Sequence, residues 1–167
     1  MLLALKLFSE RNGMVLNAKK TKVMIFNKNG RHIRRVFNFG QEKLETTRQY
    51  KYLGFLVTPA GEINSGLRDL RDGAQRAFSK LKKKMGISFR QKPSITIKHF
   101  SSLIEPILLY ASDFWGALKV PANNPIETLF MSFCKQLLGV QKQTTNAGVL
   151  LELGQLPLLI RVRKKAM

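Results

Sequence analysis

Apolar positions follow two different periods along the chain, and the change falls near residue 60. Leu3, Leu7 and Phe8 share one face of a helical wheel, and Asn12-Gly13 supplies the left-handed stop that ends such a helix. Lys22 to Phe26 is a short apolar, partly β-branched run closed by Asn27-Lys28-Asn29-Gly30, which predicts a strand and a turn. Further strands are expected over Arg34 to Phe39 and Leu44 to Thr47, split by Gly40-Gln41, and over Tyr50 to Thr58 before a Pro59-Ala60-Gly61 turn. Together these elements read as one helix and an antiparallel meander.

From Ser65 the spacing becomes helical. Leu67, Leu70, Ala74, Ala77, Phe78, Leu81 and Met85 fall within about 100° of a wheel, and Gly86 closes the pattern. Pro93-Ser94 opens a second helical stretch with Ile97, Phe100, Ile104 and Leu108 on one stripe, which Pro106 should kink or divide before Trp115-Gly116. Asn124 as N-cap and Pro125 at the first helical position start a third helix, with Ile126, Leu129, Phe130, Phe133 and Leu137 on its buried side and Gly139 at its end. Thr145 or Asn146 caps a fourth that ends at Gly154, and Pro157 opens a fifth that runs to Met167. The expected fold is α+β: a small antiparallel sheet with one helix over 1–60, then a helical bundle over 61–167. The first helix has no preceding cap and the last is cut short, so the chain reads as truncated at both ends.

Charge sharpens this picture. Against 29 Lys and Arg stand 10 Asp and Glu, a formal net charge of +19 in 167 residues, and a polyanionic partner is the physical expectation. Residues 1–60 carry 12 basic and 3 acidic side chains, 61–100 carry 10 and 3, and 101–167 carry 7 and 4, so contact with phosphates should centre on the middle stretch. A membrane-surface protein of this charge would show one long amphipathic helix with cations on a single face, and none stands out. No apolar run approaches the ~20 residues that span a bilayer, and Lys6 and Glu10-Arg11 interrupt the apolar start without a signal-peptide cleavage pattern. Cys134 is the single cysteine, which excludes an internal disulfide and favours a reducing, intracellular setting, nuclear or cytoplasmic.

The run from Phe8 to Phe26, with the core Leu16-Asn17-x-x-Lys20-Thr21-Lys22, resembles the palm segment called motif D in non-LTR retrotransposon reverse transcriptases. Tyr50-Lys51-Tyr52-Leu53-Gly54-Phe55 is similar to the motif E hairpin of that family. The stretch Gly66 to Lys84, then Ile104-Glu105-Pro106-Ile107-Leu108-Leu109-Tyr110 and Trp115, resembles its thumb. Phe133 to Val140 and Leu151-Glu152-Leu153-Gly154-x-x-Pro157-Leu158 resemble the tail beyond it. The resemblance covers nearly the whole chain, in the family's order. It implies that residues 1–60 are the end of a palm and 61–167 a thumb with its following helices. It also implies that Lys20 eases departure of pyrophosphate, where negative charge accumulates on the leaving group. Tyr52, Leu53 and Gly54 would then grip the primer's 3′ end, and Lys22 would be a further nucleic-acid-binding residue. Arg68, Arg71, Arg76, Lys80, Lys82, Lys83 and Lys84 would neutralise phosphates of an RNA–DNA hybrid or duplex without reading its sequence. On pattern alone the same lysines read as solvated helix surface. Tyr50, Tyr52 and Leu56, all at even positions, should share one side of a strand.

One departure from the family decides what the chain can do. Reverse transcriptases hold two magnesium ions with an Asp of motif A and the pair of a Tyr-x-Asp-Asp hairpin, because in-line phosphoryl transfer needs both reacting oxygens stabilised. This sequence contains no Asp-Asp, only Asp69, Asp72 and Asp113. Arg68, Arg71 and Arg76 surround the first two, which favours ion pairing over metal binding. His32, His99 and Cys134 are too scattered for zinc. The expectation is a reverse transcriptase fragment with no metal or cofactor of its own, inactive without the missing N-terminal region that brings the Mg2+ ligands. The alternatives are a stand-alone basic RNA-binding protein without enzymatic activity, and a decayed element copy.

Overall fold

The computed structural model describes residues 2–165 except 16, 18, 19, 117–119 and 121–123, and the side chains of 164 and 165 also lie outside the description. Leu16 of the motif-D-like core is therefore outside the described residues. The fold is α+β, and the chain divides into two compact units, Met1–Glu62 and Ile63–Met167.

In the first unit, α1 (Leu2–Arg11) stops where Asn12-Gly13 predicts, with Gly13 at φ 61° and the Asn12 amide side chain donating to the Phe8 carbonyl. Strands β1 (Lys22–Val23), β2 (Phe37–Phe39) and β3 (Glu42–Thr46) form a three-stranded sheet in the order β1-β3-β2. The β2–β3 hairpin is antiparallel and turns through Gly40-Gln41, with Gly40 at φ 62° supplying the positive φ that a two-residue hairpin loop requires.

The meander expectation fails at β1, which pairs parallel to β3 with Lys22 opposite Glu45 and Val23 opposite Thr46. Because the hairpin occupies one edge of β3, β1 joins the other edge, and the Lys22–Glu45 ion pair fits that register. β4 (Tyr50–Tyr52) and β5 (Phe55–Val57) form a separate two-stranded sheet. The single strand that the apolar pattern predicts over Tyr50 to Thr58 is thus replaced by a hairpin, the element expected from the resemblance of Tyr50 to Phe55 to motif E.

The second unit is helical: α2 (Asn64–Met85), α3 (Ser88–Gln91), α4 (Pro93–Leu103), α5 (Glu105–Leu108), α6 (Ser112–Trp115), α7 (Pro125–Leu138), α8 (Asn146–Glu152) and α9 (Leu158–Lys165). Pro106 sits in the first turn of α5, and the break before it falls at Ile104, where φ is −110°. The proline divides the stripe into two helices, since it cannot donate to the preceding turn. Asn124 caps α7 by accepting from the Ile126 and Glu127 amides at 2.9 and 3.1 Å, and Gly139 ends it at φ 72°. The core is aromatic. Phe78 of α2, Phe89, Phe100, Phe130 and Phe133 form a continuous cluster in which Phe100 stacks on Phe133 at 4.0 Å between centroids. Trp115 is fully buried, and its indole N–H donates to the Tyr110 carbonyl at 2.8 Å.

Two long-range polar devices fasten α9. The buried Glu127 carboxylate accepts from the Leu158 and Leu159 amides at 3.3 and 3.2 Å, so a side chain of α7 caps a helix about thirty residues away. Arg161 of α9 bonds to Glu105 at 3.1 Å and to Gln155 at 2.6 Å while lying over the Phe130 ring at 5.2 Å.

Candidate nucleic-acid interface

Helix α2 carries most of the residues expected to meet phosphates. Contrary to the expectation that no long amphipathic helix with cations on one face is present, α2 is such a helix; Leu67, Leu70, Ala74, Phe78 and Leu81 fix its apolar side in the core, which leaves that side no membrane surface to meet. At 100° per residue, Arg68, Arg71 and Lys82 then fall on one flank of the solvent side, and Arg76, Lys80 and Lys83 on the other. All seven cations, including Lys84, are exposed. From Arg68 to Lys84 the helix advances about 24 Å, the length over which it can follow a backbone.

The first flank faces α7. Arg68 and Arg71 line a cleft of about 470 Å³ together with Asn64, Asn124 and Thr128, and Arg71 bonds to Asp72 at 2.9 Å. Farther along, Lys82 donates to the Gln136 side chain at 2.8 Å. Arg90, a cation outside the periodic run of α2, joins this edge by donating its Nε to the Gln136 carbonyl at 3.1 Å. Periodicity gave no reason to single it out, because the helix that presents it is four residues long.

The motif-D-like segment is organised by Asn17, whose backbone carbonyl accepts from the Lys20 and Thr21 amides and whose side chain accepts from Lys20 at 3.1 Å. This turn leaves the Lys20 side chain exposed, and it pairs with no carboxylate among the described residues. Lys22, two residues on, is held by Glu45, and this hydrogen bond and charge lower the Glu45 carboxyl below its ordinary value.

In the second hairpin Tyr50 pairs with Val57, Lys51 with Leu56 and Tyr52 with Phe55, leaving Leu53-Gly54 as a two-residue loop with φ of 45° and 86°. Two positive φ values in succession make the loop that matches strand twist, a geometry usually assigned to Asn-Gly. The turn changes the phase of the strand. Tyr50 and Tyr52 share a face with Phe55 and Val57, and Leu56 lies on the other face with Lys51, contrary to the alternation expected of one strand. Tyr52 and Leu53 are 63% and 75% exposed, and a leucine held left-handed at an exposed tip is a strained feature.

No protein-family model, curated protein or solved structure matches the chain.

Among the described residues no three His, Cys, Asp or Glu side chains gather as a metal site, and no helix is long and apolar enough to cross a membrane. The donor set does not suit the magnesium pair of a polymerase: Asp72 is engaged by Arg71, and Asp113 lies on a different helix. Cys134 is fully buried, and desolvation pushes its thiol up to about 12.

Proposed function

We propose that the chain is the end of the palm and the thumb of a non-LTR retrotransposon reverse transcriptase. In this reading it holds primer–template duplex and extends no primer by itself. The observation that carries the reading is α2, a 22-residue helix with its apolar side locked in an aromatic core and seven cations on its solvent side. A rigid cationic rod neutralises a regular array of phosphates at low entropic cost, and does so without sequence preference.

Three features support the palm assignment. The order of the motif-like segments is the family's, Lys20 is displayed on a turn that Asn17 organises, and the Tyr52-Leu53-Gly54 loop is a strained, exposed tip. Among the described large apolar residues of the first unit, Leu44 and Phe55 are buried while Leu3, Phe8, Val15, Phe26 and Val36 are exposed. A palm separated from the N-terminal region that completes its sheet would expose such a surface. In the complete enzyme that region would supply the aspartates and their two magnesium ions.

The test is competition binding of the purified chain to an RNA–DNA hybrid, an RNA duplex and single-stranded RNA at several salt concentrations. Binding of hybrid or A-form duplex at least as tight as that of single strands, weakening steeply with salt, is expected. A strong preference for single-stranded RNA would replace this reading with that of a basic RNA-binding protein.

A further inference from the structure

Helices α2 and α7 lie side by side and run in the same direction: Arg68 and Arg71 line one cleft with Asn124 and Thr128 at their starts, and Lys82 reaches Gln136 at their ends. At that far end three helices converge on Gln136. Its side-chain amide donates to the Ser132 hydroxyl at 3.1 Å, which fixes the amide oxygen where Nζ of Lys82 donates to it at 2.8 Å. Its backbone carbonyl accepts from Nε of Arg90, in α3, at 3.1 Å. The Arg90 guanidinium lies over Gly139, where a Cβ would stand 3.6 Å from its Cζ and from one Nη, and the φ of 72° there suits glycine alone.

Two cationic ends are thus held one hydrogen bond from the same residue, and neither pairs with a carboxylate among the described residues. Like charges drawn to one place repel each other. A glutamate at this position would cancel one of them, whereas the glutamine amide steadies Lys82 and leaves both charges standing. Capping the last turn of α7 accounts for one of the five N–H donors of Arg90. Both cationic residues are exposed, so an anion with several acceptor oxygens can meet the ammonium and the outer edge of the guanidinium together.

We propose that Lys82 and Arg90 form a clamp for a single phosphodiester of the bound duplex, and that Gln136 is its positioning residue. The clamp rests on the reading of the chain as a nucleic-acid binder, and it adds to α2 a contact from a second helix. A lysine steadied before the duplex arrives loses less rotamer freedom on binding. The effect is therefore on affinity, with no preference for sequence.

The experiment measures the affinity of the full chain for an RNA–DNA hybrid and for single-stranded RNA across a salt series. The proteins are the wild type, Q136M, K82Q, K82Q/Q136M and K82Q/R90Q. Methionine keeps the length of the Gln136 side chain and removes its oxygen. Q136M should weaken hybrid binding about 3–10-fold with both cations present, and should add nothing in the K82Q background. General damage to α7 would not produce that coupling. K82Q/R90Q, changed only at exposed positions, should flatten the slope of log affinity against log salt by about 1, the loss of one phosphate. Equal weakening by Q136M in both backgrounds, or none in either, would overturn the positioning role. An unaltered slope in K82Q/R90Q, or a change of about 2, would overturn the single-phosphate clamp. Tight hybrid binding that none of these variants alters would remove the clamp and keep the duplex reading. The same coupling in a chain that prefers single-stranded RNA would keep the clamp and remove the reverse transcriptase reading.

Discussion

Replacing Glu127 tests how the C-terminal helix is held. The residue is 9% exposed, and its carboxylate accepts from two first-turn amides of α9, at Leu158 and Leu159. Hydrogen bonds to a charged acceptor contribute about 1.5–3 kcal/mol each, and a buried donor left without a partner costs about 1–3 kcal/mol. Against this stands the cost of burying the carboxylate, which pushes its pKa up despite the opposing pull of the Leu159 and Leu158 amides and Arg161. Glu127→Ala should therefore cost about 2–4 kcal/mol. Glu127→Gln keeps one acceptor and turns an amide N–H2 toward the other donor, and should cost about 1–2 kcal/mol.

The raised pKa also gives a pH signature. Between the ordinary carboxylate value and the raised one, the folded protein binds more protons at this site than the unfolded chain, so stability falls as pH rises through that window. The glutamine variant should lose this slope. Trp115, the single tryptophan, is fully buried in α6, which packs against α9, and reports unfolding in urea by fluorescence. Hydrogen exchange over residues 158–165 reports the helix directly. If the alanine variant matched wild-type stability within about 0.5 kcal/mol and kept those amides protected, the capping argument would be wrong.

Other perturbations follow from the packing. A Cβ at Gly116 would overlap the Ser112 carbonyl and the Val162 side chain, so Gly116→Ala should destabilise by about 2–3 kcal/mol in the same urea assay; a neutral result would mean that α6 and α9 pack more loosely. The Cys134 thiol, buried with a pKa of about 12, should resist a thiol reagent at pH 8 until the chain is unfolded, and rapid native labelling would refute its burial. Residues 20–58 should exchange amide hydrogens faster than residues 66–85, because the short strands of the first unit cover little apolar surface. Equal protection would refute that.

Local signals explain which elements the sequence reveals. The stripe from Leu67 to Met85, the Asn124-Pro125 start, the Gly139 stop and the division at Pro106 all depend on neighbours within a few residues, and each is found in place. The strands depend on distant partners. A two-residue β1 carries too few side chains to declare which edge of β3 it joins, and its parallel register emerges only once the β2–β3 hairpin has taken the other edge. The apolar pattern hides the Leu53-Gly54 turn, because leucine is a poor signal for a left-handed position, and only the resemblance to the motif E hairpin points to it. Glu127 looks like an ordinary first-turn acid of α7 until α9 is docked on it. Cation density marked α2 from the start, whereas Arg90 became part of the same edge only through Gln136.

The cationic helix is tested most directly by the salt dependence of hybrid binding in the wild type and in K80Q/K82Q/K83Q/K84Q. Each phosphate that the variant no longer neutralises should flatten the slope of log affinity against log salt by about 1, with weaker binding and unchanged folding by circular dichroism. An unaltered slope and affinity in a folded variant would show that α2 does not hold the duplex.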